Sequence, residues 1–367
     1  MHTRRIGIDY RAVTSAPYSG IGRQVRGLTE ALAADGRWEI FLFSDGGESE
    51  TRWPVIQPNP VSNRVRIHRP HMRLWFEHGF LPDVIARQDI EVFVTTANCG
   101  VPAPLRTPLR RILWVHDFFP YTIPMLYRSL RERILYGPYF RYSGRLALRL
   151  ADEILTPSNY NVMECRRLFG NFGDKMRVLP NFVPGFPEVS FGRIGKELPK
   201  RYWLVVGTTG PRKNIASFVD AWLDCGSTMP DLVMVGNTDD FTESQLRACG
   251  ERLRVLSCLN DAELGFVYRH ADRLWHPSHA EGFGLPPLEA MSLGTPVAVA
   301  QGTALDEVVP KTARRFPPND GSVLRRLMIE LAEMPRKNDP DPELVAWASN
   351  FGPSAFNARV SELSAQW

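Results

Sequence analysis

Two glutamates, Glu281 and Glu289, stand on either side of a Gly-rich turn in the stretch PSHAEGFGLPPLEAMSLGTP, Pro277 to Pro296, with seven residues between them. Carboxylates placed this way around a turn can accept hydroxyls or steady a developing positive charge. The apolar run that follows predicts a short helix. Pro286 and Pro287 suit its first positions, where a missing N–H costs little, Ala290, Met291 and Leu293 carry it, and Gly294 to Pro296 stop it. Glu289 is then expected in the first turn and Glu281 in the loop before it, with the amides of Gly282, Phe283, Gly284 and Leu285 free to donate. A helix end of this kind attracts anions, because unpaired N–H groups and the helix dipole both favour negative charge. In a plain connection Glu289 would only compensate the dipole, but the turn itself has no use for Glu281.

Further groups could do chemistry. YWLVVGTTGPRKN sets Arg212 and Lys213 at a strand-to-helix junction, beside Asn214 as the expected cap. Two cations there suit a diphosphate, Arg by its forked donors and Lys as a point charge; a solvated turn is the plainer account. RRILWVHDFFPYTIP places His116 and Asp117 just after a strand, at the carboxyl edge where open α/β sheets bind ligands, although such a histidine is often only a satisfied turn residue. SGIGRQV supplies Gly20, Gly22 and Arg23. With Asp45 these sketch a dinucleotide loop, yet Tyr10 to Ser19 separate strand from glycines and Val25 takes the third glycine position, so a dehydrogenase is disfavoured. Arg141, Arg145 and Arg149 recur every fourth residue and share a helix face, either simply solvated or a seat for an anionic acceptor or membrane surface.

Other clusters argue less. In HMRLWFEHGFL, His71 to Leu81, core packing by Leu74, Trp75, Phe80 and Leu81 is preferred to a lipid-facing role. His276 and His279 lie near Glu281 without a third ligand at suitable spacing, and Asp339 and Asp341 alternate with Pro340 and Pro342 in a late loop. No metal or other cofactor is expected.

These residues need elements to hold them. At 367 residues the chain exceeds the usual size of one hydrophobic core, so two domains are expected. Buried strands are predicted at Arg5 to Asp9, Ile40 to Ser44, Val92 to Thr95 and Arg111 to Val115, with ADEILTPS, Ala151 to Ser158, as the last of the first domain. A helical pattern from Leu126 to Leu150, broken near Gly137 and Pro138, lies between. After a connector near Asn181 to Pro199 the rhythm restarts at Trp203 to Gly207, Leu232 to Gly236, Arg254 to Ser257, Arg273 to His276 and Val297 to Ala300. Strands alternating with helices mean doubly wound parallel sheets. The net charge of +4 is too small to argue for nucleic acid, although residues 101–151 hold a basic block that includes Arg106 and Arg128. Five scattered cysteines without a CxxC pair fit a reducing cytosol, and neither a membrane span nor a signal peptide is read.

The motif EGFGLPPLEAMSLGTPV resembles the signature of retaining GT-B glycosyltransferases of glycosyltransferase family 4. That resemblance implies an α/β fold of two Rossmann-like domains facing each other across a cleft: residues 1–184 binding the acceptor, 185–350 binding a nucleotide sugar, and a helix in 351–367 crossing back. It implies that Glu289 binds ribose hydroxyls, that Glu281 and His116 attend the transferred sugar, and that Gly20 and Gly22 lie beneath it. Lys213 and Arg212, with the amides of Gly284 and Leu285, would hold the diphosphate without a metal. Many members carry Arg directly after the strand's glycine, where this chain has Thr208, and often a tryptophan where it has Gly352. The look of GIGR, VHDFFP and PRKN resembles members that use GDP-mannose on lipid-diphosphate-linked oligosaccharides of surface polysaccharides. The expectation is a cytoplasmic mannosyltransferase, peripheral to the inner membrane face. A nucleotide-sugar-binding protein without transfer activity and a sugar-nucleotide epimerase are the alternatives.

Overall fold

Strands buried on both faces read as nearly unbroken apolar runs, and most strands of this protein have that character. Its structure, a computed structural model, describes residues 3–46, 51–58, 70–102, 108–123, 130–187, 193–207, 209–334 and 339–367. Arg106, Arg128, Thr208 and the start of the helical pattern at Leu126 lie outside the described residues. The chain divides into two units, Met1–Phe182 with Pro353–Trp367, and Val183–Gly352.

The first unit contains β1 (Arg4–Asp9), β2 (Trp38–Phe43), β3 (Val55–Ile56), β4 (Val92–Thr95), β5 (Arg110–Trp114), β6 (Glu153–Thr156) and β7 (Met176–Val178), in the order β3-β2-β1-β4-β5-β6-β7, with every pairing parallel. ADEILTPS therefore does not hold the last strand of this unit, because β7 pairs with β6 beyond it. Order reverses between β1 and β4, and at such a switch point the loops diverge and leave a crevice at the carboxyl ends. Alternate residues Ile6, Ile8, Val92, Val94, Ile112 and Trp114 build one buried face. Phe356 and Val360 from the Pro353–Ser364 helix, and Trp367 after it, enter the same core.

Two stretches depart from expectation. The Leu130–Leu150 helix runs through Pro138 without a break. Pro138 and Ile134, whose carbonyl loses its partner to the proline, both face solvent, so water can satisfy that oxygen. In His71 to Leu81 it is Phe76 and Leu81 that are buried, while Trp75 is 44% exposed. A π-helical turn over Phe76–Phe80 adds a residue to the helix and rotates Phe76 and Glu77 inward.

The second unit has β8 (Tyr202–Val206), β9 (Asp231–Val235), β10 (Leu253–Leu256), β11 (Arg273–His276), β12 (Val297–Ala300) and β13 (Arg314–Phe316), ordered β10-β9-β8-β11-β12-β13 and all parallel. Trp203, Trp275, Phe218 and Trp222 fill one side of this sheet, and Leu204, Leu274, Leu288 and Met291 the other. Its switch point falls between β8 and β11.

Candidate active site

The loops that leave β8 and β11 diverge at that switch point, and they carry Arg212, Lys213 and Glu281. Pro211–Lys213 makes a single 3₁₀ turn after β8, and His276 ends β11 five residues before Glu281. Lys213 Nζ lies 2.8 Å, Arg212 Nη1 2.9 Å and His276 Nε2 2.9 Å from one atom, Glu281 Oε1. Glu281 is buried, and burial works to raise its carboxyl. Lys213, the hydrogen bond from His276 and Arg212 outweigh that and hold it well below the ordinary carboxylate range. Burial also lowers Lys213, against the pull of Glu281, and lowers His276, which then donates from Nε2 as a neutral ring. The loops are further laced by Arg212 Nη1 to the Ala280 carbonyl at 2.7 Å and by the His279 amide to the Arg212 carbonyl at 2.9 Å.

Asn214 does not cap the next helix. Its φ is 57°, and its side-chain amide donates to the carbonyls of Pro277 at 3.2 Å and Pro318 at 3.0 Å, which ties the β8 loop to the β11 loop. The Leu285–Ser292 helix starts where expected, but Glu289 is its fifth residue, past the first turn. Pro286 and Pro287 at its second and third positions remove two of the amides a helix end would offer. The amides of Phe283, Gly284 and Leu285 are what the loop can still turn toward an anion. Phe283 sends its ring into the core, edge-on to Phe351 at 5.8 Å, so only its backbone is available. Gly284 is required at its place, with φ +113° and a Cβ position 2.4 Å from Leu305 Cδ2. Glu289 is buried and accepts from the Tyr268 hydroxyl through Oε2 at 2.7 Å. Asp341 caps the Pro342–Ser349 helix, accepting from the Glu343 and Leu344 amides, which accounts for one acid of the Asp339–Asp341 pair.

In the first unit His116 follows β5 and is buried. Its ring Nε2 meets the Thr96 carbonyl at 3.1 Å, so the proton sits on Nε2 and Nδ1 is an acceptor; among the described residues Nδ1 has no hydrogen-bond partner. Burial pushes its pKa down to about 4, against the Thr96 bond. Its backbone is clamped by Asn98 Oδ1 at 2.7 Å and Asn161 Nδ2 at 2.9 Å. Gly20 opens the Gly20–Asp35 helix, behind a short Arg11–Ser15 helix that separates it from β1. The Gly22 amide donates to Ser19 Oγ, the helix cap, at 3.0 Å, and a Cβ on Gly22 would come 2.7 Å from the Ala16 carbonyl. Gly22 thus has a packing reason to be glycine. Arg141, Arg145 and Arg149 are exposed along the Leu130–Leu150 helix, with Arg145 6.0 Å above the Phe169 ring.

Three sets of residues escaped the sequence reading. His276 was weighed only as a metal ligand, although it lies five residues from the carboxylate it serves. Tyr268 gives no local signal, being 21 residues from Glu289. At the end of β1, Arg11 pairs with both Asp9 and Glu77 in a buried network; an acid and a base two apart at a strand's carboxyl end were the available clue.

Comparison with known proteins bears on the family and the fold. The family description "Glycosyltransferase Family 4" matches residues 18–184 and "Glycosyl transferases group 1" matches residues 188–340. The chain is 26% identical over 291 residues to the O-antigen chain mannosyltransferase RfbU of Salmonella typhimurium, covering 77% of each. It is 32% identical over 227 residues to O-antigen chain mannosyltransferase B of Escherichia coli, covering 58% of each. The match to the serotype-specific mannosyltransferase WbdA of Escherichia coli takes in 62% of this chain but 30% of that one. Among solved structures, sucrose-phosphate synthase from Thermosynechococcus elongatus superposes with a TM-score of 0.78 at 20% identity, over 99% of this chain and 98% of that one. Anabaena HepE in complex with UDP-glucose gives 0.70 at 15%, over the full length of both. These likenesses bear on the fold, which is GT-B: two Rossmann-like parallel-sheet domains. With one description matching each half, the chain belongs to the group 1, family 4 glycosyltransferases.

Proposed function

We propose that this protein is a retaining mannosyltransferase, moving mannose from GDP-mannose to an acceptor hydroxyl on a growing surface polysaccharide. The observation that carries the reading is the convergence of Arg212, Lys213 and His276 on Glu281 at the switch point of the second sheet. The mannosyltransferase relatives support the choice of sugar.

When the anomeric C–O bond breaks, the electron pair leaves with the diphosphate, so fixed positive groups aimed there lower the barrier most. Arg212 and Lys213 supply that charge, with the Gly284 and Leu285 amides, and the reaction as proposed runs without a metal. Glu281 Oε1 is taken by its three donors, which leaves Oε2 to accept sugar hydroxyls and face the cation-like ring. Glu289, steadied by Tyr268, binds the ribose. His116 stays a residue of the transferred sugar, with Nδ1 as a hydroxyl acceptor, and Gly20 and Gly22 stay beneath that sugar. The acceptor oxygen attacks the face the leaving group vacates, and a phosphate oxygen takes its proton. Two carboxylates flanking the bond, as in retaining glycosidases, fit less well because Glu289 serves the ribose.

A lipid-linked acceptor at the inner membrane face completes the proposal. Arg141, Arg145 and Arg149 are exposed on a helix that also exposes Ile134 and Tyr142, a basic and apolar mixture suited to an anionic surface. Among the described residues no helix is long and apolar enough to cross a membrane.

A thermal-shift comparison of GDP-, UDP-, ADP- and dTDP-linked sugars tests the donor site. At a hundredfold excess over Kd a ligand adds about 2.7 kcal/mol, or about 5–10 °C in Tm for a unit of this size. GDP-mannose is expected to give that rise in the wild type and none in Lys213→Ala. If no nucleotide sugar raises Tm, the donor site is wrongly placed.

A further inference from the structure

Three donors share one oxygen of Glu281 while, among the described residues, none is found on the other. A carboxylate oxygen has two lone pairs in its plane, so three bonds to Oε1 are more than it can direct well. The donors are also unlike. Lys213 and Arg212 keep 13% and 22% of their side chains exposed, whereas His276 keeps 2%. A ligand entering at the switch point of the second sheet can therefore compete for the two cations, but it cannot reach the histidine ring.

The elements that carry these groups explain the difference. Arg212 and Lys213 sit on the single turn after β8, while His276 is the last residue of β11 and pairs in register with Val299 of β12. Side chains alternate along a strand, so His276 shares a face with buried Leu274 and is held by the sheet itself. Ser278 Oγ lies 3.5 Å from the same Nε2, too far to take the place of the carboxylate. The ring donates as a neutral group and brings no charge that an anion could draw away.

A diphosphate carries more negative charge and more acceptor oxygens than Glu281, so Arg212 and Lys213 turn toward it when it binds. Glu281 then loses its two charged donors. With no other anchor the carboxylate would swing after the cations, and Oε2 would lose its aim at the sugar hydroxyls. The 2.9 Å bond from His276 is the one the ligand leaves in place.

We propose that His276 is a positioning residue: it holds Glu281 still while Arg212 and Lys213 pass to the diphosphate, and so sets how much the sugar adds to donor binding. This rests on the transferase reading and deepens it at the same site.

The test is titration calorimetry on the full chain with GDP-mannose and with GDP, for wild type, His276→Phe and His276→Gln. The Phe ring fills the space without donating, and the Gln amide can donate from Nε2 to the same oxygen. His276→Phe is expected to weaken GDP-mannose about tenfold and GDP by at most about threefold, because GDP has no sugar for Glu281 to hold. His276→Gln is expected to stay within about threefold of wild type for both. A merely structural histidine would weaken the two ligands alike. Equal losses, no loss in His276→Phe, or a His276→Gln that behaves like His276→Phe each overturn the proposal. A measurement on wild type covers a variant that fails to fold: by NMR with isotope-labelled histidine, the hydrogen-bonded Nε2–H of His276 should persist when GDP saturates the site, and its disappearance would mean that the ring lets Glu281 go. If another nucleotide sugar gives the rise in Tm, that sugar and its bare nucleoside diphosphate replace the GDP pair. Should wild type bind no nucleotide sugar at all, the transferase reading falls and this inference with it, whereas binding by wild type confines any failure to His276.

Discussion

His116 makes a quantitative claim about acid stability. In the unfolded chain its ring titrates near 6.5, and in the folded protein burial takes it to about 4. The folded state therefore prefers the neutral ring, and below pH 6.5 the unfolded chain binds a proton that the native one refuses. Stability from this source is complete above pH 6.5 and is lost as pH falls toward 4. At about 1.4 kcal/mol per unit, that interval is worth about 3 kcal/mol, of which roughly 2 kcal/mol falls between pH 7 and pH 4.5. His116→Gln removes the titration, while the amide of Gln can still donate to the Thr96 carbonyl. Urea unfolding of both proteins at several pH values should show the wild type losing about 1 M more in midpoint than the variant between pH 7 and 4.5, for an m-value near 2 kcal/mol per M. Carboxylates such as Glu281 also weaken the fold in acid, but they do so in both proteins and cancel. Parallel pH profiles, or an NMR titration placing His116 near 6.5, would show that the ring is not held neutral by burial.

Two further substitutions probe the second unit. Gly284→Ala forces a Cβ toward Leu305 at a φ that side chains avoid, so a loss of about 2–4 kcal/mol is expected, seen as a fall of about 5–15 °C in Tm; a change under 2 °C would contradict the assigned backbone. Tyr268→Phe leaves the buried Glu289 without its hydroxyl donor and should cost about 1.5–3 kcal/mol in stability. It should also weaken nucleotide binding several-fold in titration calorimetry, and an unchanged Kd would separate Glu289 from the ribose.

Most strands were legible because strands covered on both faces leave continuous apolar runs, and Arg273–His276 and Val297–Ala300 fall where the sequence puts them. β3, β7 and β13 escaped notice for the converse reason. All three are sheet-edge strands of two or three residues, and β7 and β13 carry arginines, Arg177 and Arg314 with Arg315, where an edge tolerates charge. Glu281, Arg212 and Lys213 stood out by residue type and context. Their meeting at a single oxygen did not, since it joins residues 68 apart through the adjacency of β8 and β11, which no local pattern encodes. Glu289 falls just past the expected first turn because prolines mark a helix start without fixing its first residue. The Asp9–Arg11–Glu77–Arg73 network spans three elements and depends on a π-helical turn, for which period-based reading has no signal.

The return of Pro353–Trp367 to the first unit also sets an order on synthesis. Phe356, Val360 and Trp367 complete the core around β1 and β5, yet they leave the ribosome after the whole of Val183–Gly352. At translation speeds of about 5–20 residues per second, the first unit waits roughly 10 to 30 s with part of its apolar interior uncovered. The second unit, contiguous in the chain, has every strand it needs before that wait ends. The half that emerges first is thus finished last, and a nascent chain stalled before Pro353 would carry a closed second unit beside an open first one.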